Sequence, residues 1–146
     1  MDDEEFLRSF EECTLPFEQW THRSHVKVAF LYLRTFPFDQ ALARIRFGIK
    51  KYNAAHQVPE GPTSGYNETT TQAFLRLIAA TMQAYGETFA TASADSFCDA
   101  HPQLLTKHAL RSFYSPEARM HPLAKTEFVE PDLAPLPKLP VRSGSL

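Results

Sequence analysis

Two histidines stand three residues apart in WTHRSHV, Trp20 to Val26, and a glutamate, Glu68, opens the run ETTTQAFLRL directly after Asn67. Three residues is close to one helical turn, so His22 and His25 share a face if a helix starts there. Two imidazoles and a carboxylate, with coordination positions left open, suit a catalytic zinc or a non-haem ferrous iron. Either metal can generate a hydroxide nucleophile or polarise a bound oxygen atom. His22, His25 and Glu68 are therefore the candidate ligands of a divalent metal in a small hydrolase, lyase or oxygenase acting on a small molecule. Tyr66 and His56 are the candidate catalytic groups, as proton donor or orienting residue.

Each of these residues also has a plainer reading. Any helix start tolerates histidine, and a first-turn glutamate is favoured by the positive end of the helix dipole. His56, near a helix end, would bond free backbone carbonyls. His101 and His121 precede prolines and read as structural, whereas His108 in LLTKHALRSF is a core or site residue. Trp20, Phe30, Tyr32, Phe74, Phe113 and Tyr114 read as core aromatics, with Tyr66 set apart by its place beside Glu68. The alternative function is a non-catalytic helical module that binds a small ligand or a protein partner.

The elements that must position these groups are helices, because apolar residues recur at helical spacing and almost nowhere alternate over strand length. The first helix is expected over Asp2 to Cys13, with Phe6, Leu7 and Phe10 as its stripe. The second starts at Thr21 as N-cap and ends near Thr35, before Pro37. The third takes Asp39 as N-cap, runs to about His56 and buries Leu42, Ile45, Ile49 and Tyr52. VPEGPTSG is a loop. The fourth is capped by Asn67, runs to about Tyr85 and closes on Gly86. Shorter helices are expected over Ser93 to Ala100 and Pro102 to Phe113, with a turn from Pro116. EPDLAPLPKLP is expected as an extended arm whose Leu133 and Leu136 lie on the bundle. The fold class is thus all-α, a single-domain bundle of about five to six helices over residues 1–137, with a disordered tail over 138–146. Short connections make helices two, three and four antiparallel neighbours. His22, His25, His56 and Glu68 then fall at one end, under the Pro/Gly loop.

Composition bounds the function. At 146 residues there is room for one core. A net charge of −2 argues against a nucleic-acid partner, and the basic run RIRFGIKK, with Arg44, Arg46, Lys50 and Lys51, reads as solvated surface. No apolar run approaches the roughly 20 residues of a membrane span. MDDEEFLRSF has neither the basic start nor the apolar region of a secretory leader, so a cytoplasmic location is expected. Cys13 and Cys98 accordingly read as buried free thiols.

The order THRSHVKVAFLYL, GYNETTTQAFLRL, LLTKHALRSFYSPEARMHPLAKTEFVEPDLAPLP resembles a widespread family of small, uncharacterised, all-helical proteins, over roughly Phe17 to Pro137. The resemblance implies a compact helical fold, and His22, His25, Tyr66 and Glu68 occupy matching positions. In many members the middle segment reads YHET, so histidine stands where this chain has Asn67. A third histidine ligand that such a family could offer is absent here. The resemblance implies no reaction.

Overall fold

The computed structural model describes residues 1–85 and 92–139. Among them are seven α-helices and three short 3-10 helices but no strand; an isolated antiparallel bridge joins Gly61 to Ser64. The helices are α1 (Asp3–Glu11), α2 (His22–Thr35), α3 (Phe38–Ala55), α4 (Glu68–Ala84), α5 (Ala94–Ala100), α6 (Pro116–Arg119) and α7 (Pro122–Thr126). The all-α architecture agrees with the helical spacing of the sequence. No described helix is long and apolar enough to cross a membrane.

Local chemistry explains where the helices begin. Asp2, Thr21, Asn67 and Ser93 each sit in extended backbone and accept a bond from a backbone N–H one turn on, satisfying a donor that the helix itself cannot. α2 is the element on which the bundle is built, packing against α1, α3, α4 and α5. It buries Val26, Val28, Ala29, Phe30, Leu31 and Tyr32 in consecutive turns, which a helix covered on most sides requires. Gly48 in the middle of α3 has a packing reason. A Cβ there would lie 2.7 Å from a ring carbon of Phe10, so the missing side chain lets α1 close on α3.

Several expectations need correction. α3 begins one residue before Asp39, with Pro37 at the N-cap position; Asp39 instead supplies first-turn negative charge. The helix expected over Pro102 to Phe113 is two 3-10 segments, Pro102–Leu105 and Lys107–Ser112. Thr106 divides them in extended backbone, and its hydroxyl caps the second by accepting from the His108 N–H. The turn expected from Pro116 is a single-turn helix, Pro116–Arg119, and a further short helix, Pro122–Thr126, follows where no element was expected. Cys98 is buried but Cys13 only partly so, and both are free thiols. The Gly86 cap and most of the expected tail, residues 140–146, lie outside the described residues.

The C-terminal arm is pinned by polar bonds at its start and by one leucine further on. The Tyr114 hydroxyl donates to the Val129 carbonyl at 2.7 Å, Ser115 donates twice to Asp132, and the Leu133 N–H donates to the Phe113 carbonyl. Leu136 is 7% exposed whereas Leu133 is 58% exposed, so the expected pair of packed leucines reduces to one. Leu133 sits where its own N–H is turned inward to Phe113, leaving its side chain to solvent. Leu136→Ala is accordingly expected to cost about 2–3 kcal/mol and Leu133→Ala less than about 0.5 kcal/mol, measured by urea unfolding. Truncation at Glu130 should lower the melting temperature by more than the Leu136 substitution alone.

Candidate functional site

His22 and His25 occupy the first turn of α2, and their rings are fixed by backbone carbonyls. The His22 Nε2 lies 2.9 Å from the Leu104 carbonyl, and the His25 Nδ1 lies 2.8 Å from the Thr21 carbonyl. A carbonyl oxygen only accepts, so each of those ring nitrogens carries the hydrogen. In the neutral rings, Nδ1 of His22 and Nε2 of His25 are then left as acceptors, and neither has a hydrogen-bond partner among the described residues. Stacking completes the positioning. His25 lies against Trp20 with ring centroids 3.9 Å apart, and His22 meets the ring of Phe74 edge-on at 4.8 Å. Burial holds the His25 imidazole down to a pKa of about 4; the bond to Thr21 opposes this and the neighbouring His22 adds to it.

Both rings line a cavity of about 600 Å³. Its walls are apolar over most of their area: Val26 and Ala29 from α2, Ile45 and Ile49 from α3, and Phe74, Leu75 and Ile78 from α4. The loop residues Pro62 to Gly65 border it, as do Asn67, Thr70 and Thr71 from the start of α4. Arg119, Met120 and Lys125 close another side.

Glu68 does not join the histidines. Among the described residues, no three His, Cys, Asp or Glu side chains are grouped so as to hold a metal ion, so the expected His22–His25–Glu68 ligand set is not assembled. The physical reason is that Glu68 is already fully engaged. Arg46 on α3 donates through Nε to Oε1 at 2.8 Å and through Nη2 to Oε2 at 2.7 Å. The Tyr66 hydroxyl donates to Oε1 at 2.8 Å and the Gln72 side chain to Oε2 at 2.7 Å. The Glu68 side chain is 8% exposed, and a carboxylate so buried needs these donors. Arg46 first, then Gln72 and Tyr66, hold its pKa down to about 2 against the opposing effect of burial. Arg46 is thus half of an ion pair and not part of a solvated face.

The two catalytic candidates are held by partners of their own. Tyr66 directs its hydroxyl to Glu68, and burial, reinforced by that bond, pushes its pKa up to about 12. It is absent from the lining of the cavity that both histidines share and borders one of about 360 Å³ with Glu68, Lys50 and Asn53, while a further cavity of about 270 Å³ has Tyr66 and His25 in its lining together. His56 donates from Nε2 to the Cys13 carbonyl at 3.0 Å and stacks on Tyr52 at 4.2 Å, a helix-end role. His121 caps α7 by accepting from the Leu123 N–H, and His108 is exposed.

Four residues to which sequence reasoning gave no site role matter to this end of the bundle. Arg46 could have been found from Glu68, since an acid heading a buried stripe requires a cation and Arg46 adjoins Ile45 in the stripe of the neighbouring helix. Lys125 binds the Ser64 and Tyr66 carbonyls at 2.8 Å each and pairs with Glu60 at 3.2 Å, which ties the cavity's loop to α7. Gly65 is favoured there by its φ of +85°, which L side chains rarely adopt, and the Glu60 carboxylate lies in the space a Cβ would take. Arg119 gave no local signal. No family model, curated protein or solved structure matches this chain.

The two depressed pKa values predict an acid limb of stability in two windows. The unfolded chain binds the extra proton in both cases, so each group stabilises the fold at higher pH and loses that effect on acidification. The His25 contribution should disappear between pH 6.5 and about 4, and that of Glu68 between pH 4.5 and about 2. Urea unfolding across pH should show the upper window flattened in His25→Gln and the lower in Glu68→Gln. Glu68→Ala should cost about 1–3 kcal/mol at neutral pH. That is less than the loss of one partner from a fully buried pair, because the Arg46 side chain is 37% exposed and water screens its charge.

Proposed function

We propose that the protein is a ligand-binding helical module whose cavity takes a small, largely apolar molecule. The observation that carries this reading is one cavity of about 600 Å³ with apolar walls and two oriented imidazoles, each with a ring nitrogen left without a protein partner. A volume in that range, mainly apolar lining and a few convergent polar groups are what small-molecule sites have in common. His22 and His25 serve as acceptors for a hydroxyl or N–H of the ligand. The aliphatic residues of α2, α3 and α4 take up its apolar part.

The orientation of the rings favours a second reading. Histidines that bind metals generally donate their other N–H to a carbonyl or carboxylate, as both do here. His22 and His25 would then hold a zinc or ferrous ion, with the cavity as the substrate space of a hydrolase, lyase or oxygenase. Zinc added to metal-free protein would bind to the wild type and not to His22→Ala/His25→Ala. No zinc uptake at neutral pH would end the metal reading and leave the first intact.

The first reading predicts that a simple probe binds. Octanol at ten times its dissociation constant should raise the unfolding free energy by about 1.4 kcal/mol, with amide NMR shifts centred on Ala29, Ile49 and Ile78. Thr70, exposed at the cavity rim, tests the location, since Thr70→Trp should block the probe without entering the core. Shifts scattered away from the cavity, or no stabilisation at saturating octanol, would refute the reading.

A further inference from the structure

The cavity is not electrically neutral, and its two cations are treated differently by the fold. Lys125 has a complete set of partners, with two carbonyls and the Glu60 carboxylate around its ammonium group. Arg119, brought to the wall by α6, has none. Its Nε is buried without a hydrogen-bond partner, and no carboxylate or ring faces its guanidinium among the described residues. Two other arginines show what the fold does elsewhere. Arg46 is matched by both oxygens of Glu68. Arg76 also has an unbonded Nε, but its guanidinium lies 4.7 Å from the ring of Phe128, a favourable cation–π distance. Arg119 alone of the three lines the large cavity, and it alone has neither compensation.

From this we infer that the natural ligand is a monoanion, an apolar carboxylic acid in its ionised form, whose carboxylate is bound by Arg119. The inference rests on the reading of the cavity as a small-molecule site and names the chemical class it takes. A guanidinium presents a planar fork of donors that matches the two oxygens of a carboxylate, and a buried N–H without a protein partner gains one from such a ligand. One uncompensated cation matches one negative charge. A phosphate dianion would need a second, and Lys125 is already neutralised by Glu60 while His25 is uncharged above about pH 4. The aliphatic walls then accept the remainder of the acid, with Val26, Ile45, Ile49 and Ile78 contacting a chain or ring. The ring nitrogens of His22 and His25 remain for a hydroxyl or N–H on that body. Affinity should therefore divide into an apolar part common to neutral and charged probes and a charge-dependent part that belongs to Arg119.

Octanoate and octanol separate those parts, because they share a chain and differ in the head group. Calorimetric titration at pH 7, with amide NMR to locate the bound chain, should give octanoate at least about tenfold tighter binding than octanol. Arg119→Gln should abolish that preference, weakening octanoate by at least about tenfold relative to octanol, and Arg119→Lys should restore part of it. Equal affinities in the wild type, or a preference that survives Arg119→Gln, would overturn the assignment of a carboxylate to Arg119 and leave the cavity reading standing. If neither probe shifts the amides of the lining residues, the cavity reading fails and the acid falls with it.

Discussion

A carboxylate in an apolar interior must find donors for both oxygens, and at Glu68 that requirement organises one end of the molecule. Four donors from three segments meet it: Arg46 from α3, Gln72 from α4 and Tyr66 from the loop between them. The ion pair sets how α3 and α4 lie against each other, and the phenol brings the loop down onto them. The loop is then held from above, because Lys125 bonds the Tyr66 and Ser64 carbonyls while Glu60 accepts from the Tyr66 N–H. Residues 62–65, which border the large cavity, are therefore held by Lys125, itself part of the cavity wall, and by the Glu60–Tyr66 bond. The cavity is shaped by the Glu68 network without containing it.

The histidine pair is governed by a different constraint, the backbone carbonyls that its ring N–H groups can reach. The Leu104 carbonyl, at the end of a 3-10 segment, takes the His22 N–H, and the Thr21 carbonyl takes both the backbone and the ring N–H of His25. Backbone groups thus choose the tautomer of each ring and the direction of its free nitrogen. Trp20 prevents the His25 ring from turning, by stacking on one face while itself stacked on Phe10. In the proposed binding site such rings would need no further reorganisation to meet a ligand donor, which is how preorganisation preserves binding energy.

What was legible in the sequence followed the range of the interaction. The caps Thr21 and Asn67 depend on bonds to residues three positions away and are legible as short polar residues before an apolar repeat, whereas Asp2 and Ser93 read as first helical residues and prove to be caps as well. The helical class follows from spacing alone. Glu68 was visible as an acid heading a buried stripe, but its partner was not. Arg46 lies 22 positions away, and which residue faces it depends on how two helices pack. RIRFGIKK therefore read as uniform solvated charge, although its second arginine is structural. The division of the expected helix at Thr106 was hidden for a related reason. Proline and apolar spacing are equally compatible with α and 3-10 turns, and the hydroxyl that favours the break is decided by a single local bond. Arg119 is the least legible of all, since its distinguishing property is the lack of a partner, and no pattern of residues encodes that.

The titration behaviour of the polar groups bears on what kind of chemistry this end of the bundle can do. General acid–base catalysis is most effective when the group's pKa lies near the working pH. Here burial has carried His25 well below that range, to about 4, and Tyr66 well above it, to about 12, while Arg46 holds Glu68 near 2. Each is locked in one protonation state around neutrality: imidazole as acceptor, phenol as donor, carboxylate as acceptor. Groups locked in this way are poor proton carriers and dependable recognition elements, because their donor or acceptor character does not change with modest shifts in pH. The proposed binding site calls for fixed acceptors, an apolar volume and a cation without a protein counter-ion. The imidazoles of α2, the aliphatic faces of α2, α3 and α4, and Arg119 of α6 supply those three things around one space.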